Sequence, residues 1–129
     1  MSDVLIVDDN DDFRKLVRTM LRGSGIIDIN DVYSAAECLL LLIKDPPKVL
    51  ILDINMPFIT GLDILDAVKQ NKWLDNVHVI IITGSDFVGS STSVRRGAVD
   101  YFLKPITESK KFTALVKYYL ELEQFKESQ

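Results

Sequence analysis

The chain has 129 residues, of which 47% are hydrophobic and 26% are charged, and its formal net charge is −4. This length and composition are typical of one globular domain and exclude a disordered or fibrous protein. The acidic balance argues against direct nucleic-acid binding, the lone cysteine excludes an internal disulfide, and no apolar run approaches the roughly 18 residues that cross a membrane.

Five short apolar runs predict β-strands. Three of them are almost continuous Val, Ile and Leu, which is typical of strands buried on both faces of a parallel sheet. In chain order the runs are Val4–Val7, a weaker run at Ile29–Tyr33, then Val49–Leu52, Val77–Ile82 and Val99–Leu103.

Helical patterns separate these runs. A helix-face spacing of apolar residues that begins at Phe13 predicts the first helix, which Gly23 and Gly25 end. Ser34–Glu37 has the pattern of a capping box and opens the second helix. Thr60 precedes the third helix, which we expect to reach about Trp73.

The last two predicted helices differ in strength. The fourth, around Ser90–Arg96, is weakly indicated, and the Gly- and Ser-rich segment Gly84–Ser93 predicts a mobile loop. The fifth repeats the helix-face spacing of apolar residues from Phe112 to Leu120.

The resulting order, a strand followed by a helix five times over, predicts an α/β fold with an open, doubly wound parallel sheet. Five such units are too few to close a (βα) barrel. The start of the chain lacks the pattern of a secretory signal. We therefore expect residues 1–129 to form one cytoplasmic domain, with no output domain and no membrane association.

Polar residues follow the strands at the edge where an open parallel sheet carries its function. Asp8 and Asp9 end the first strand, and Asp53 ends the third. Thr83 and Lys104 end the fourth and fifth. Asp53, Thr83 and Lys104 are each weak evidence alone, whereas two acids that end a buried strand are costly unless something binds them. The occurrence of all these residues after four strands predicts a site at this edge.

The carboxylates of Asp8, Asp9 and Asp53 would repel one another if they were clustered and ionised. Either their pKa values rise or a cation binds between them. An all-oxygen ligand set selects Mg²⁺, Mn²⁺ or Ca²⁺ over zinc, and Mg²⁺ with open positions suits a phosphoryl group. For Asp11 and Asp12 the simpler interpretation is a favourable interaction with the dipole of the first helix.

These residues carry a resemblance to a known family. The acidic pair Asp8–Asp9, the Asp53-x-x-Met56-Pro57-x-x-x-Gly61 segment, Thr83 and the segment from Gly97 to Pro105 occur in the order and spacing of response regulator receiver domains. The resemblance extends from about Ser2 to Leu122 and implies five parallel strands in the flavodoxin-like order 2-1-3-4-5.

The resemblance also implies roles at the site. Asp53 corresponds to the phosphoacceptor, which takes a phosphoryl group from a sensor histidine kinase or a phosphotransfer protein. Asp8 and Asp9 correspond to the acids that bind Mg²⁺, for which Mn²⁺ can substitute, and the backbone carbonyl of Asn55 corresponds to a further metal ligand.

Three more residues correspond to the family's catalytic and switch positions. Lys104 resembles the lysine that pairs with the phosphoryl oxygens. Thr83 resembles the switch hydroxyl and Tyr101 the switch aromatic residue. The Lys104–Pro105 bond is a candidate cis peptide, because X-Pro bonds adopt the cis form at low cost.

These implied roles make the chain a signalling switch that catalyses only its own phosphorylation and dephosphorylation. Its output surface would be the fourth helix, fifth strand and fifth helix, which bind an unidentified protein target. Two alternatives are a magnesium-dependent phosphatase with an aspartyl-phosphate intermediate and a degenerate receiver that binds constitutively. A flavodoxin-like flavin binder is disfavoured, because the acidic loop after the first strand would repel a phosphate group.

Overall fold

A five-stranded parallel sheet with helices on both faces forms the protein, which confirms the predicted doubly wound fold. The computed structural model describes residues 2–84 and 92–129. The strands are β1 (Val4–Val7), β2 (Ile29–Val32), β3 (Val49–Leu52), β4 (His78–Thr83) and β5 (Asp100–Leu103), in the order β2-β1-β3-β4-β5. The helices are α1 (Asp11–Gly23), α2 (Ala35–Lys44), α3 (Gly61–Gln70), a helical turn at residues 92–95 that we label α4, and α5 (Ser109–Glu127).

The end of α3 differs from the prediction. The helix stops at Gln70, because Asn71 has an extended backbone (φ −114°, ψ 113°), and a 3₁₀ turn follows at Lys72–Leu74. The Asn71 side chain donates a hydrogen bond to the carbonyl of Ala67 at 2.6 Å. Asparagine side chains often compete in this way with the backbone bonds that would continue a helix, so the prediction of one helix up to Trp73 was wrong.

Part of the predicted fourth helix and of the predicted mobile loop lies outside the described residues, namely residues 85–91. The remaining boundaries differ from the predicted ones by only a few residues, except that α5 continues to Glu127 where the predicted pattern ended at Leu120.

Two apolar clusters, one on each face of the sheet, hold the fold together. On one face, α2 and α3 bury residues such as Leu42 and Ile64 against the sheet. On the other face, α1 and α5 bury residues such as Val17 and Phe112. Because β1 and β3 are buried along their whole length, the polar residues that follow them are held at one edge of the sheet.

Three helices begin at that edge with capping hydrogen bonds, and in α2 the hydroxyl of Ser34 accepts from the N–H of Glu37 at 3.2 Å. The side chain of Asn10 accepts from the backbone N–H of Phe13 at 3.0 Å and caps α1. The first turn of α1 contains Asp11 and Asp12, which agrees with their interpretation as residues that favour the helix dipole. Thr60 caps α3 in a reciprocal capping box with Asp63.

The opposite edge of the sheet holds both ends of the described chain. Lys48, just before β3, lies with its Nζ 3.4 Å from a carboxylate oxygen of Asp3 and 3.6 Å from one of Glu127. Nearby, Nε2 of His78 lies 2.7 Å from a carboxylate oxygen of Glu123 on α5. The end of α5 is thus bound to the edge that lies farthest from the acidic residues.

Candidate functional site

Three aspartates converge at the carboxyl edge of the sheet. β1 and β3 pair in register, with Val7 opposite Leu52, so the residues that follow these two are neighbours. One carboxylate oxygen each from Asp8, Asp9 and Asp53 lies within 4.8 Å of the others. Asp8 and Asp53 are only 2% and 5% exposed, whereas Asp9 is exposed. The structure therefore brings together the three acids that the sequence singled out.

Asp8 is held at four of its atoms. Its backbone N–H donates to the carbonyl of Val32 at 3.3 Å. Its carbonyl accepts from Nη1 of Arg14 at 2.6 Å. One carboxylate oxygen accepts from the N–H of Asn10 at 2.9 Å and the other from Nζ of Lys104 at 2.7 Å. The position of this buried acid is consequently fixed by β2, α1 and the end of β5.

Asp53 lies in an environment that disfavours its ionised form. Burial, and then the negative charge of Asp8, raise the pKa of Asp53 above its ordinary value. The ammonium of Lys104, 3.4 Å from Oδ2, and the N–H of Asn55, 3.2 Å from Oδ1, oppose this rise. Lys104 therefore offsets only part of the effect that burial and Asp8 have on the pKa of Asp53.

Lys104 is placed between the two buried acids by its backbone and its side chain. Its N–H donates to the carbonyl of Thr83 at 2.8 Å, so the end of β4 fixes its backbone. Its ammonium lies 4.2 Å from the centre of the Phe13 ring, a cation–π distance. The Lys104–Pro105 peptide is cis, as the sequence predicted.

The hydroxyl of Thr83 is already engaged by a neighbour. Thr83 is the last residue of β4 and is fully buried, and Nδ2 of Asn55 donates to its Oγ1 at 3.3 Å. Tyr101 is paired in register with Ile81, two residues before Thr83. Since side chains alternate along a strand, Thr83 and Tyr101 lie on the same face of the sheet.

Gly61 allows α3 to begin directly against the backbone of Asp53. A Cβ atom at Gly61 would lie 2.2 Å from the carbonyl oxygen of Asp53, far inside van der Waals contact. The N–H of Gly61 also donates to the carbonyl of Ile54 at 2.9 Å. Only a residue without a side chain fits at the start of α3 while Asp53 keeps its position.

Sequence reasoning missed two side-chain contacts in this region. Arg14 lies on the buried face of α1, where its guanidinium contacts the carbonyl of Asp8. An arginine spaced with Val17 and Leu21 on an apolar helix face is the signal that points to a buried partner. The side-chain contact of Asn55 with Thr83 joins residues 28 positions apart and has no counterpart in the local sequence pattern.

The donor set of this edge fits a hard divalent cation. The three side chains of the cluster each offer a carboxylate oxygen as a metal ligand, and oxygen ligands select Mg²⁺ over softer metals. Burial and then the negative charge of Asp8 raise the pKa of Asp53, so further positive charge beside it would favour its ionised form. A bound divalent cation would supply that charge.

Comparison with known proteins identifies the family. Residues 4–117 match the family model described as the response regulator receiver domain. The polar-differentiation response regulator DivK of Brucella ovis is 31% identical over 118 residues, which cover 91% of this chain and 94% of that protein.

Solved structures give the same result. The receiver domain of NtrX from Brucella abortus is 29% identical, with a TM-score of 0.78 over 92% of this chain and 98% of that one. A putative response regulator from Chloroflexus aurantiacus is 27% identical, with a TM-score of 0.82 over 94% of this chain and 99% of that one.

This chain belongs to the response regulator receiver domain family. It is a receiver domain of a two-component response regulator, a phosphoryl-accepting signalling switch, and the membership implies that it interacts with kinases or phosphotransfer proteins. Receiver domains generally bind Mg²⁺ through an acidic pocket, and the three aspartates form such a pocket here. Across residues 2–84 and 92–129, no helix has the length and hydrophobicity of a membrane span.

Proposed function

We propose that Asp53 is the residue that accepts the phosphoryl group, from a phosphohistidine on a sensor histidine kinase or a phosphotransfer protein. The observation that carries this proposal is the convergence of Asp53 with two more aspartates and Lys104 at one edge of the sheet. Phosphoryl transfer depends mainly on positioning and on neutralising charge, and this edge offers both.

In this proposal Asp8, Asp9, Asp53 and the backbone carbonyl of Asn55 hold Mg²⁺, for which Mn²⁺ can substitute. When bound, the ion supplies positive charge that offsets the repulsion between the carboxylates and an anionic phosphoryl group. Asp8 is suited to this role because the hydrogen bonds at four of its atoms fix its carboxylate before any ligand arrives.

The transfer step assigns one role to each remaining residue. A carboxylate oxygen of Asp53 attacks the phosphorus atom, the bond between phosphorus and the donor's imidazole nitrogen breaks, and the imidazole leaves. Lys104, whose ammonium already lies 3.4 Å from Asp53, pairs with the phosphoryl oxygens. Asp53 must be ionised to attack, so its raised pKa makes the reaction sensitive to acid.

Phosphorylation is read out through Thr83 and Tyr101. The phosphoryl group offers strong acceptor oxygens, and the Thr83 hydroxyl turns from its contact with Asn55 to donate to one of them. The Tyr101 ring, which lies on the same face of the sheet, moves into the space that Thr83 leaves. The surface formed by α4, β5 and α5 then changes its affinity for an unidentified protein target.

The proposed chemistry is limited to the protein's own phosphorylation and dephosphorylation, and no external metabolite is turned over. We also propose a cytoplasmic location, because the ATP that supplies the kinase is found there. Nothing in the described site favours direct contact with nucleic acid over contact with a protein.

The test is a comparison of intact masses after incubation with acetyl phosphate and Mg²⁺. Wild type should gain one phosphoryl group, and the gain should disappear in Asp53→Asn or when EDTA is present. Asp12→Asn, which removes an exposed carboxylate from the start of α1, serves as the matched control and should be phosphorylated normally. A phosphoryl adduct on Asp53→Asn equal to that on wild type would rule out Asp53 as the sole acceptor.

A turnover assay separates the switch from a phosphatase. The proposed switch should release little phosphate from a generic phosphate ester, whereas a phosphatase would turn over many molecules of the ester. Multiple turnovers at low protein concentration would contradict the proposal.

A further inference from the structure

Arg14 lies behind the acidic pocket with its guanidinium among three acceptors. It is only 9% exposed. It donates to the carbonyl of Asp8 at 2.6 Å, to a carboxylate oxygen of Asp31 at 2.9 Å and to one of Asp11 at 2.9 Å. One side chain therefore joins the end of β1 to β2 and to the first turn of α1. We propose that Arg14 is a positioning residue for the metal site, an inference that rests on the proposed function.

The contact with Asp8 is the part of this network that reaches the pocket. The ion pairs of Arg14 are with Asp11 and Asp31, which Lys15 and Arg18 also contact. Its contact with the pocket is with a carbonyl and not with a carboxylate of the acidic cluster. The hydrogen bond to the Asp8 carbonyl instead fixes the peptide that joins Asp8 to Asp9. The orientation of this peptide sets the direction from which the exposed carboxylate of Asp9 enters the pocket.

A neighbouring arginine supplies the matched control. Arg18 also pairs with Asp31 and donates to the carbonyl of Ile29 at 3.2 Å. Both of these contacts lie on β2, so the loss of Arg18 disturbs the same carboxylate of Asp31 without removing a contact of Asp8. Comparing a variant of Arg14 with a variant of Arg18 therefore distinguishes an effect on Asp8 from a general effect on packing between α1 and β2.

The direction of the change in Mg²⁺ affinity distinguishes a positioning role of Arg14 from an effect of its charge. Removing a cation near an acidic pocket would by itself strengthen the binding of Mg²⁺, because the pocket becomes more negative. Removing a hydrogen bond that orients a ligand-bearing peptide weakens binding, typically by tenfold or more for groups that support metal ligands. We expect positioning to dominate, since the contact that Arg14 makes with the pocket is a hydrogen bond to a carbonyl and not to a carboxylate.

The experiment is a calorimetric titration of the unphosphorylated protein with Mg²⁺. Arg14→Met should weaken binding by roughly tenfold, and Arg18→Met should leave it nearly unchanged. Equal losses in the two variants, or unchanged or tighter binding in Arg14→Met, would overturn the inference. If Arg14→Met does not fold by circular dichroism, Arg14→Lys replaces it under the same criterion, because lysine keeps the charge but not the planar fork.

A spectroscopic measurement without metal distinguishes failure of this inference from failure of the metal site. In metal-free protein, Arg14→Met should move the ¹⁵N resonance of the Asp9 amide, which belongs to the peptide that Arg14 contacts, and Arg18→Met should not. An Asp9 resonance that stays in place in Arg14→Met overturns the inference. Wild type that takes up no Mg²⁺ overturns the proposed metal site and the role of Arg14 in it, even when the Asp9 resonance moves.

Discussion

Among individual residues, Asp53 combines a reactive role with an unfavourable environment. Its burial and the charge of Asp8 raise its pKa, although Lys104 offers a partial counter-charge. The folded protein therefore holds a proton on Asp53 more tightly than the unfolded chain does. Ionisation of Asp53 reduces stability, and the reduction develops as pH rises from the ordinary aspartate pKa through the raised one.

This reasoning predicts that Asp53→Asn stabilises the metal-free protein at neutral pH. In EDTA near pH 7, the free energy of unfolding of Asp53→Asn should exceed that of wild type. The difference should shrink as the pH is lowered to about 4 or below, where an ordinary aspartate is protonated. Urea unfolding at both pH values measures the difference in unfolding free energy between Asp53→Asn and wild type. A difference that grew toward acid pH would contradict a raised pKa of Asp53.

Gly61 shows how a single missing side chain positions the reactive residue. Gly61→Ala should destabilise the protein by about 1–3 kcal/mol, the usual effect of forcing an extra methyl group into packed structure, because its Cβ would meet the Asp53 carbonyl at 2.2 Å. Phosphorylation from acetyl phosphate should slow as well, since Asp53 must shift to make room.

Gly23→Ala is the control for the Gly61 variant. No atom lies within 4 Å of a Cβ built at Gly23, at the end of α1. Alanine there should change stability by no more than about 1 kcal/mol, in the stabilising direction. Urea unfolding compares the two variants, and equal effects would show that the contact with Asp53 is not the cause.

At the scale of the elements, the helices depend on the residues that start them. Thr60 accepts from the N–H of Asp63 at 3.3 Å, and the carboxylate of Asp63 accepts from the N–H of Thr60 at 3.1 Å. This reciprocal pair anchors the start of α3, immediately before the glycine that touches Asp53. Order at the start of α3 therefore also supports the loop that carries the phosphoacceptor.

Thr60→Ala should cost about 1 kcal/mol of stability through loss of the cap, and Thr60→Ser should retain most of it because the hydroxyl remains. Thermal or urea unfolding measures the free energies. Equal losses in the two variants would show that the methyl group, and not the hydroxyl, stabilises the start of α3.

Most elements were predictable because they follow from local patterns. The apolar runs located the strands, and the residues after them located the site, since parallel strands place their carboxyl ends at one edge. The sequence did not reveal the contacts of Arg14 with Asp31 or of His78 with Glu123. These pairs lie 17 and 45 residues apart, and only the packing of helices on the sheet brings them together.

At the scale of the whole molecule, the edge opposite the acidic pocket has an ionic cluster of its own. Burial disfavours ionisation of Glu123, but hydrogen bonds from His78 and Lys126 and the charge of Lys126 outweigh it and lower the pKa of Glu123. Tyr119 stacks on His78, with ring centres 4.5 Å apart. This cluster joins α5 to the start of β4.

A lowered pKa stabilises the fold at pH values above the ordinary pKa of glutamate, and this contribution is lost as the pH falls through the folded-state pKa. Glu123 is 4% exposed, so Glu123→Gln should cost about 1–2 kcal/mol near neutral pH. This loss of stability should shrink in acid, where the Glu123 carboxylate of the wild type is also protonated. Urea unfolding of wild type and Glu123→Gln from neutral to acid pH measures this difference in stability.

Glu121→Gln is the control for Glu123, because Glu121 is an exposed glutamate on the same helix. It should change stability by less than about 0.5 kcal/mol at any pH. An effect as large as that of Glu123→Gln would point to the net charge of the helix instead of the contact with His78.

The shared contact of Lys48 with Asp3 and Glu127 has a practical consequence for protein engineering. Because Asp3 and Glu127 contact the same lysine, a short peptide can join the two ends of the fold, and new termini can be opened in a surface loop. The same closeness allows the whole fold to be spliced into a loop of a fluorescent reporter. In such a fusion the aspartate pocket would face outward, away from the host.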